Sequence, residues 1–252
     1  MLALVAILCA LLVAVVAAPA DVAILDKRAV IRAPPPPKLC PVVDWGFRCD
    51  ITGYVAKGCP TGTKITTCYD SRLSSDPTKD SKIVDGRRIQ KNLFYSSLKS
   101  ADGQIREYTF KMKVDPSLKF VPGHPYTLVG VQTQDPNNTQ ETIMSTYIAI
   151  NKNDEVGVYT YEDPDVPLFT IPASDYVGKR TLHTWRLDSA PSGGVSIDII
   201  DDEDKSVILS YYVPGPMIWG DYRMRVGTTR EAVPVMPPLE IYWGDWSGKY
   251  IP

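Results

Sequence analysis

From about Ile83 to the end of the chain, apolar and polar residues alternate in short runs, and no apolar period of 3.6 persists over a helix length. Within 106–114, Tyr108, Phe110, Met112 and Val114 fall on one face, with Thr109, Lys111 and Lys113 on the other. This is the two-residue period of a half-buried strand. Similar runs cover 126–134, 142–151, 156–161, 182–187, 195–200, 207–213, 222–226 and 239–246. Turn signals separate them, among them Asp135-Pro136-Asn137-Asn138, Asp163-Pro164-Asp165 and Pro191-Ser192-Gly193-Gly194. Many short strands without intervening helical patterns predict an all-β domain over 83–252: a two-sheet sandwich of the jelly-roll, concanavalin-like kind, not a series of βαβ units.

The first eighteen residues are a continuous apolar stretch, followed by the small-x-small pattern Ala18-Pro19-Ala20. Residues 1–20 are expected to be a secretory signal, placing the protein outside the cell. The dibasic pair Lys27-Arg28 predicts processing of a propeptide at 21–28, and residues 29–39, with Pro34 to Pro37, form a stiff lead-in. Export gives the cysteines a meaning. Cys40, Cys49, Cys59 and Cys68 are an even set with spacing C-x8-C-x9-C-x8-C, which lacks the close pairs of a zinc site. Two disulfides are expected, with three connectivities open. The Gly-rich segment 40–70 is then a small stapled module packed as an N-terminal extension. Its Trp45, Phe47, Tyr54 and Tyr69 would either stack on a sugar or cap the neighbouring domain.

Composition narrows the function classes. Of 252 residues 44% are apolar, and 27 Lys+Arg against 29 Asp+Glu leave a net charge of −2, which offers no basic field for nucleic acid or an anionic membrane. Only His124 and His183 are available as imidazoles, so no metal or other cofactor is expected. The acidic stretch Asp198, Asp201, Asp202, Glu203 and Asp204 lacks calcium-loop spacing and is expected to be a solvated turn. A monomer is expected. Asn137-Asn138-Thr139 makes Asn137 a glycosylation acceptor in a surface turn.

Several segments, in order, resemble the secreted fungal polysaccharide-lyase-like proteins related to glucuronan and alginate lyases. Trp219-Gly220-Asp221-Tyr222-Arg223 is similar to that family's W-G-x-Y-R strand, and Asp85-Gly86-Arg87-Arg88-Ile89-Gln90 to a strand carrying R-x-E. Tyr108-Thr109-Phe110-Lys111-Met112-Lys113 looks like a Y-x-W-x-F-x strand, and Val131-Gln132-Thr133-Gln134 stands where Q-I-H or Q-I-K occurs. The resemblance covers about two thirds of the chain, from Asp85 to Trp246. It implies a polysaccharide partner, with polyuronates the first candidates, and either a lyase or a sugar-binding descendant. A secreted interaction protein is the alternative.

β-Elimination on a uronate needs donors for the carboxylate, a base for the adjacent proton and an acid for the leaving oxygen. Gln132 would donate to the carboxylate, Arg88 or Arg223 would pair with it, Gln134 would line the site, and Tyr222 would serve as acid or base. Strict alternation groups Gln132 and Gln134 with Tyr126, Leu128 and Gly130, the glycine leaving room for a sugar. The departures from the pattern weaken catalysis. Gln134 stands in place of His or Lys, Gln90 in place of Glu, and Val129 in place of a histidine. His124 is expected to be a solvated turn residue and His183, which shares a face with Trp185 and Leu187, a hydrogen-bonded core residue.

Overall fold

The computed structural model describes residues 43–96, 103–118, 121, 123–138, 141–151 and 153–252. The expected signal, processing site and lead-in, together with Cys40 and Thr139, lie outside these. The described residues form fifteen strands and one turn of 3-10 helix, Ala173–Asp175. The strands are β1 (Arg48–Ile51), β2 (Tyr54–Lys57), β3 (Cys68–Leu73), β4 (Ser81–Val84), β5 (Arg87–Tyr95), β6 (Ile105–Val114), β7 (Tyr126–Gln134) and β8 (Thr142–Ile150). They continue with β9 (Glu155–Thr160), β10 (Phe169–Pro172), β11 (Thr181–Asp188), β12 (Gly194–Asp201), β13 (Val207–Pro214), β14 (Arg223–Glu231) and β15 (Leu239–Ile251). Each alternating run of the sequence is a strand. β10 lacks a comparable signal because its residues are half-buried or exposed at a sheet edge.

The strands make two antiparallel sheets that pack face to face as a sandwich. The front sheet has the order β1-β5-β14-β7-β8-β9-β10, with β4 added on β5, and the back sheet the order β13-β12-β11-β6-β15-β3-β2. Tyr108, Phe110 and Met112 of β6 are fully buried, as are Trp185, Leu187, Ile197 and Ile199 of β11 and β12. Opposite them the front sheet contributes Phe94, Tyr126, Leu128, Val131, Met224 and Val226 to the same core. Burying each such side chain contributes about 1.5–3 kcal/mol, so the in-and-out assignment of every central strand is strongly determined.

The division of the chain at residue 70 has no counterpart in the sheets. β1 pairs with β5 in the front sheet, while β2 and β3 extend the back sheet through β15. Trp45 and Phe47 close one end of the core. Tyr69 and Phe47 lie 5.5 and 5.6 Å from the Trp243 ring, and Phe94 lies 4.7 Å from it. These aromatics therefore cap the sandwich. Cys59 and Cys68 form a disulfide that ties the 58–67 loop to the start of β3.

Candidate functional site on the outer face of the front sheet

Register places one row of side chains across six front-sheet strands. Arg48 pairs with Tyr95, Tyr95 with Arg225, Arg225 with Gly130, Gly130 with Tyr147, and Tyr147 with Tyr159. Arg225 lies between the core residues Met224 and Val226, and Tyr147 precedes core Ile148, so alternation sends the row to the outer face. A second row, Arg223, Gln132 and Met144, lies beside it. Gly130 is required by crowding. A Cβ there would lie 2.2 Å from Met144 Cε and 2.6 Å from Tyr147 Cβ. The space that the glycine leaves is filled by the Met144 methyl, not held open.

Arg225 is the least ordinary group in the row. It is only 9% exposed, and its Nε and Nη2 are buried with no hydrogen-bond partner among the described residues. Burial lowers its pKa, opposed by attraction from Tyr95, Asp50 and Tyr147. The phenols on either side are held protonated: burial raises Tyr95, and burial together with Tyr159 and Asp165 pushes Tyr147 up to about 12. Arg223 is lowered by burial and by repulsion from Arg48, against the pull of Asp221. Three guanidinium groups thus share this side of the face. Below them Asp50 pairs with Lys91 and, at 3.3 Å, with Lys82.

Beyond Tyr147 the face opens into a cleft of about 480 Å3, lined among others by Thr127, Ala149, Asn151, Asn153 and Asp165. The Tyr147 and Tyr159 rings in its wall are stacked, 5.4 Å apart and 14° from parallel. At the Gln134 end, Trp219 meets Tyr161 edge-on at 5.1 Å.

The residues expected from the sequence to form a site are divided by the structure. Gln132 and Arg223 are directly opposite each other on the outer face, where Gln132 Nε2 donates to Thr142 Oγ1 at 2.8 Å. Gln134 packs its side-chain amide against Gly220, whose φ of +55° and missing Cβ make that approach feasible. Tyr222 does not join them. It is fully buried among core residues, because it is one residue from Arg223 and alternation turns it inward. Arg88 is exposed and seven residues from Tyr95 along β5, roughly 23 Å at strand rise. Its end of β5 adjoins Ala232, beyond the opposite end of β14.

Strict alternation also fails within β7. The pairing of β7 with its neighbours shifts register between Thr127 and Val129. Tyr126, Leu128 and Val129 all face the core, whereas Gly130 and Gln132 face out. A bulge inserts one residue and inverts the parity beyond it. Arg225, Tyr95, Tyr147 and Tyr159 were not singled out by sequence. Their only local signal was the Arg223/Arg225 spacing, which a solvated strand face shares.

The remaining candidates have structural partners. His183 Nε2 lies 3.1 Å from Tyr176 Oη and 3.0 Å from Thr181 Oγ1, its ring stacked on Phe110 at 4.7 Å. Burial lowers its pKa to about 3. His124 Nδ1 is 3.7 Å from Glu231. In the acidic turn, Asp202 is ion-paired with Arg180, Lys111 and Lys205 at 2.7, 3.2 and 2.7 Å. These three cations balance its charge. Asn137 is exposed in the turn between β7 and β8.

No protein-family model matches the chain, and no curated protein matches it. Solved structures do. An endo-β-1,4-glucuronan lyase from the fungus Trichoderma reesei superposes with a TM-score of 0.53 at 14% identity, over 79% of this chain and 89% of that one. A family 7 alginate lyase bound to its product gives 0.52 at 8% identity, over 77% and 86%. The catalytic domain of a glycoside hydrolase family 131 protein from Coprinopsis cinerea gives 0.50 at 14% identity, over 79% and 78%. The chain shares the fold of these proteins, the jelly-roll sandwich predicted from its sequence.

Proposed function

We propose that the protein is a secreted binder of acidic polysaccharide that holds a uronate carboxylate on Arg225, at the outer face of the front sheet, without cleaving the polymer. The observation that carries this reading is the buried guanidinium with Nε and Nη2 unpaired. Two adjacent N–H groups match a carboxylate as a bidentate fork, and an ionic hydrogen bond contributes more than a neutral one. Arg48 and Arg223 add positive charge around it, and Tyr147, Tyr161 and Trp219 offer ring surface for sugars. The fold is shared with two enzymes named for glucuronan and alginate.

Elimination is the less favoured reading because Asp50, the carboxylate that attracts Arg225, is itself ion-paired with Lys91 and Lys82, and the other groups expected to act as a base do not suit the task. Gln132 and Gln134 cannot take up a proton. The phenols beside Arg225 have raised pKa values, which suits proton donors and not bases. Tyr222 faces the core. The test is titration calorimetry with glucuronan, alginate and pectate, a neutral glucan as control, and the absorbance of unsaturated ends followed in parallel. Retention of a polyuronate without new absorbance is the expected result. Unsaturated product would establish a lyase, and failure of every polysaccharide to bind would favour a secreted interaction protein.

A further inference from the structure

The outer face of the back sheet carries a row of its own. Tyr212 of β13 stands opposite Ser196 of β12, Ser196 opposite Arg186 of β11, and Arg186 opposite Glu107 of β6. Leu187, Val195, Ile197 and Val213, their neighbours along the strands, belong to the core, so alternation turns the row away from it. It therefore lies on the side of the sandwich opposite Arg225. The surface here is indented by a cavity of about 310 Å3, lined by Arg186, Asp188, Gly194, Ser196 and Tyr212. That volume is at the lower end of the ~300–1,000 Å3 of small-ligand sites.

Tyr212 leans over this surface. Its Oη donates to the Gly193 carbonyl of the neighbouring turn at 3.2 Å. A Cβ on Gly194 would lie 2.8 Å from that Oη and 2.9 Å from Cζ, as well as 2.4 Å from the Val213 carbonyl. The glycine thus admits both the close strand and the ring, and 53% of Tyr212 stays exposed. A phenol anchored at its tip with its ring open to solvent is a platform for the apolar side of a pyranose. Two polar groups of opposite kind lie beside it. The exposed Arg186 guanidinium makes no hydrogen bond or ion pair among the described residues, while its neighbour Glu107 is held by Lys249 at 2.7 Å. Asp188, two residues on along β11, accepts the Ala190 amide on Oδ1 at 3.0 Å, and its Oδ2 accepts no bond among the described residues. A sugar hydroxyl both donates and accepts, so a guanidinium and a carboxylate beside one ring match hydroxyls. A uronate bound to Arg186 would meet the like charge of Asp188.

We infer that the back sheet holds a second sugar site, in which an uncharged pyranose stacks on Tyr212 and sets its hydroxyls over Ser196, toward Arg186 and Asp188. Tyr212 and Arg186 are two strand spacings apart, about 10 Å. The site shares no residue with the Arg225 face, so it stands or falls independently of the uronate reading.

The experiment is backbone-amide NMR of the isotope-labelled protein, titrated with neutral gluco-, manno- and xylo-oligosaccharides and separately with an oligoglucuronate. At least one neutral oligomer is expected to shift the amides of Arg186, Gly193, Gly194 and Ser196 and to leave those of Gly130 and Arg225 in place. Tyr212→Ala, at an exposed position, should weaken that oligomer roughly tenfold, and Tyr212→Phe, which keeps the ring, by less than about threefold. Arg186→Met should weaken it several-fold. Unshifted amides elsewhere in each variant's spectrum show that it is folded. The inference is overturned if no neutral oligomer binds, if binding persists undiminished in Tyr212→Ala, or if the shifts fall on the front sheet. An oligoglucuronate that shifts the back-sheet amides more strongly than any neutral oligomer overturns the assignment to an uncharged sugar. The same spectra report on the amides around Arg225, and their failure to respond to the oligoglucuronate would sink the uronate reading alone.

Discussion

Replacing Arg225 by methionine should stabilise the free protein and abolish binding of acidic polysaccharide. The native side chain holds a charge in a nearly dry position with Nε and Nη2 unpaired. An unsatisfied buried polar group costs about 1–3 kcal/mol, and more when charged. Attraction from Tyr95, Tyr147 and Asp50 offsets part of that, leaving a net cost on the order of 2 kcal/mol. Methionine keeps the length and flexibility of the arginine stem without its charge. For a chain of this size about 2 kcal/mol corresponds to a rise of roughly 4–8 °C in Tm. Loss of an ionic bidentate contact costs about 3 kcal/mol in binding, on the order of a hundredfold in Kd.

Arg230, five residues on along the same strand, supplies the control. Its Nε donates to Gln90 Oε1 at 2.8 Å, Nη1 to the Pro237 carbonyl at 2.7 Å and Nη2 to the Ser74 carbonyl at 2.8 Å. Arg230→Met strands the buried Gln90 Oε1 and removes a bond from each of two half-buried carbonyls, and should destabilise by about 3 kcal/mol. Scanning calorimetry and ligand titration of both variants under one buffer decide the matter. A fall in Tm for Arg225→Met with unchanged polyuronate affinity would refute the reasoning, since Arg225 would then be a structural residue.

Tyr222→Phe should leave ligand affinity unchanged, because the ring faces the core; a change measured by calorimetry would place the hydroxyl in the site after all. His183, held to a pKa of about 3 by burial, stays neutral in the fold while the unfolded imidazole titrates near 6.5. Its stabilising effect is complete above about pH 6.5 and falls by about 1.4 kcal/mol per pH unit toward pH 3. Urea midpoints at pH 7, 5 and 4 should show this slope in the native protein and a shallower one in His183→Gln. Gly130→Ala puts a methyl 2.8 Å from the Thr146 carbonyl as well as against Met144 and should cost about 1–3 kcal/mol, read as a lower urea midpoint. From the even cysteine count, denatured but unreduced protein made through an exporting host should bind no alkylating label at Cys40, Cys49, Cys59 or Cys68, and four labels after reduction; the intact mass reports both.

The alternation of residues along each run determined that this chain is all-β and which residues share a face. Tyr108, Phe110 and Met112, or His183, Trp185 and Leu187, are buried as their spacing demands, because a two-residue period has one way to hide its apolar half. That logic is local, and it failed where the strand was irregular. The bulge in β7 separates Leu128 from Gly130 although they are two residues apart. It equally could not say that the 43–73 segment joins both sheets, since β1 finds β5 and β3 finds β15 only through distant pairing. Tertiary structure alone made Arg225 the central group. Its neighbours Tyr95, Gly130 and Tyr147 come from three other strands, and whether a charged side chain is solvated or stranded depends on what those strands bring around it, which no run of adjacent residues records.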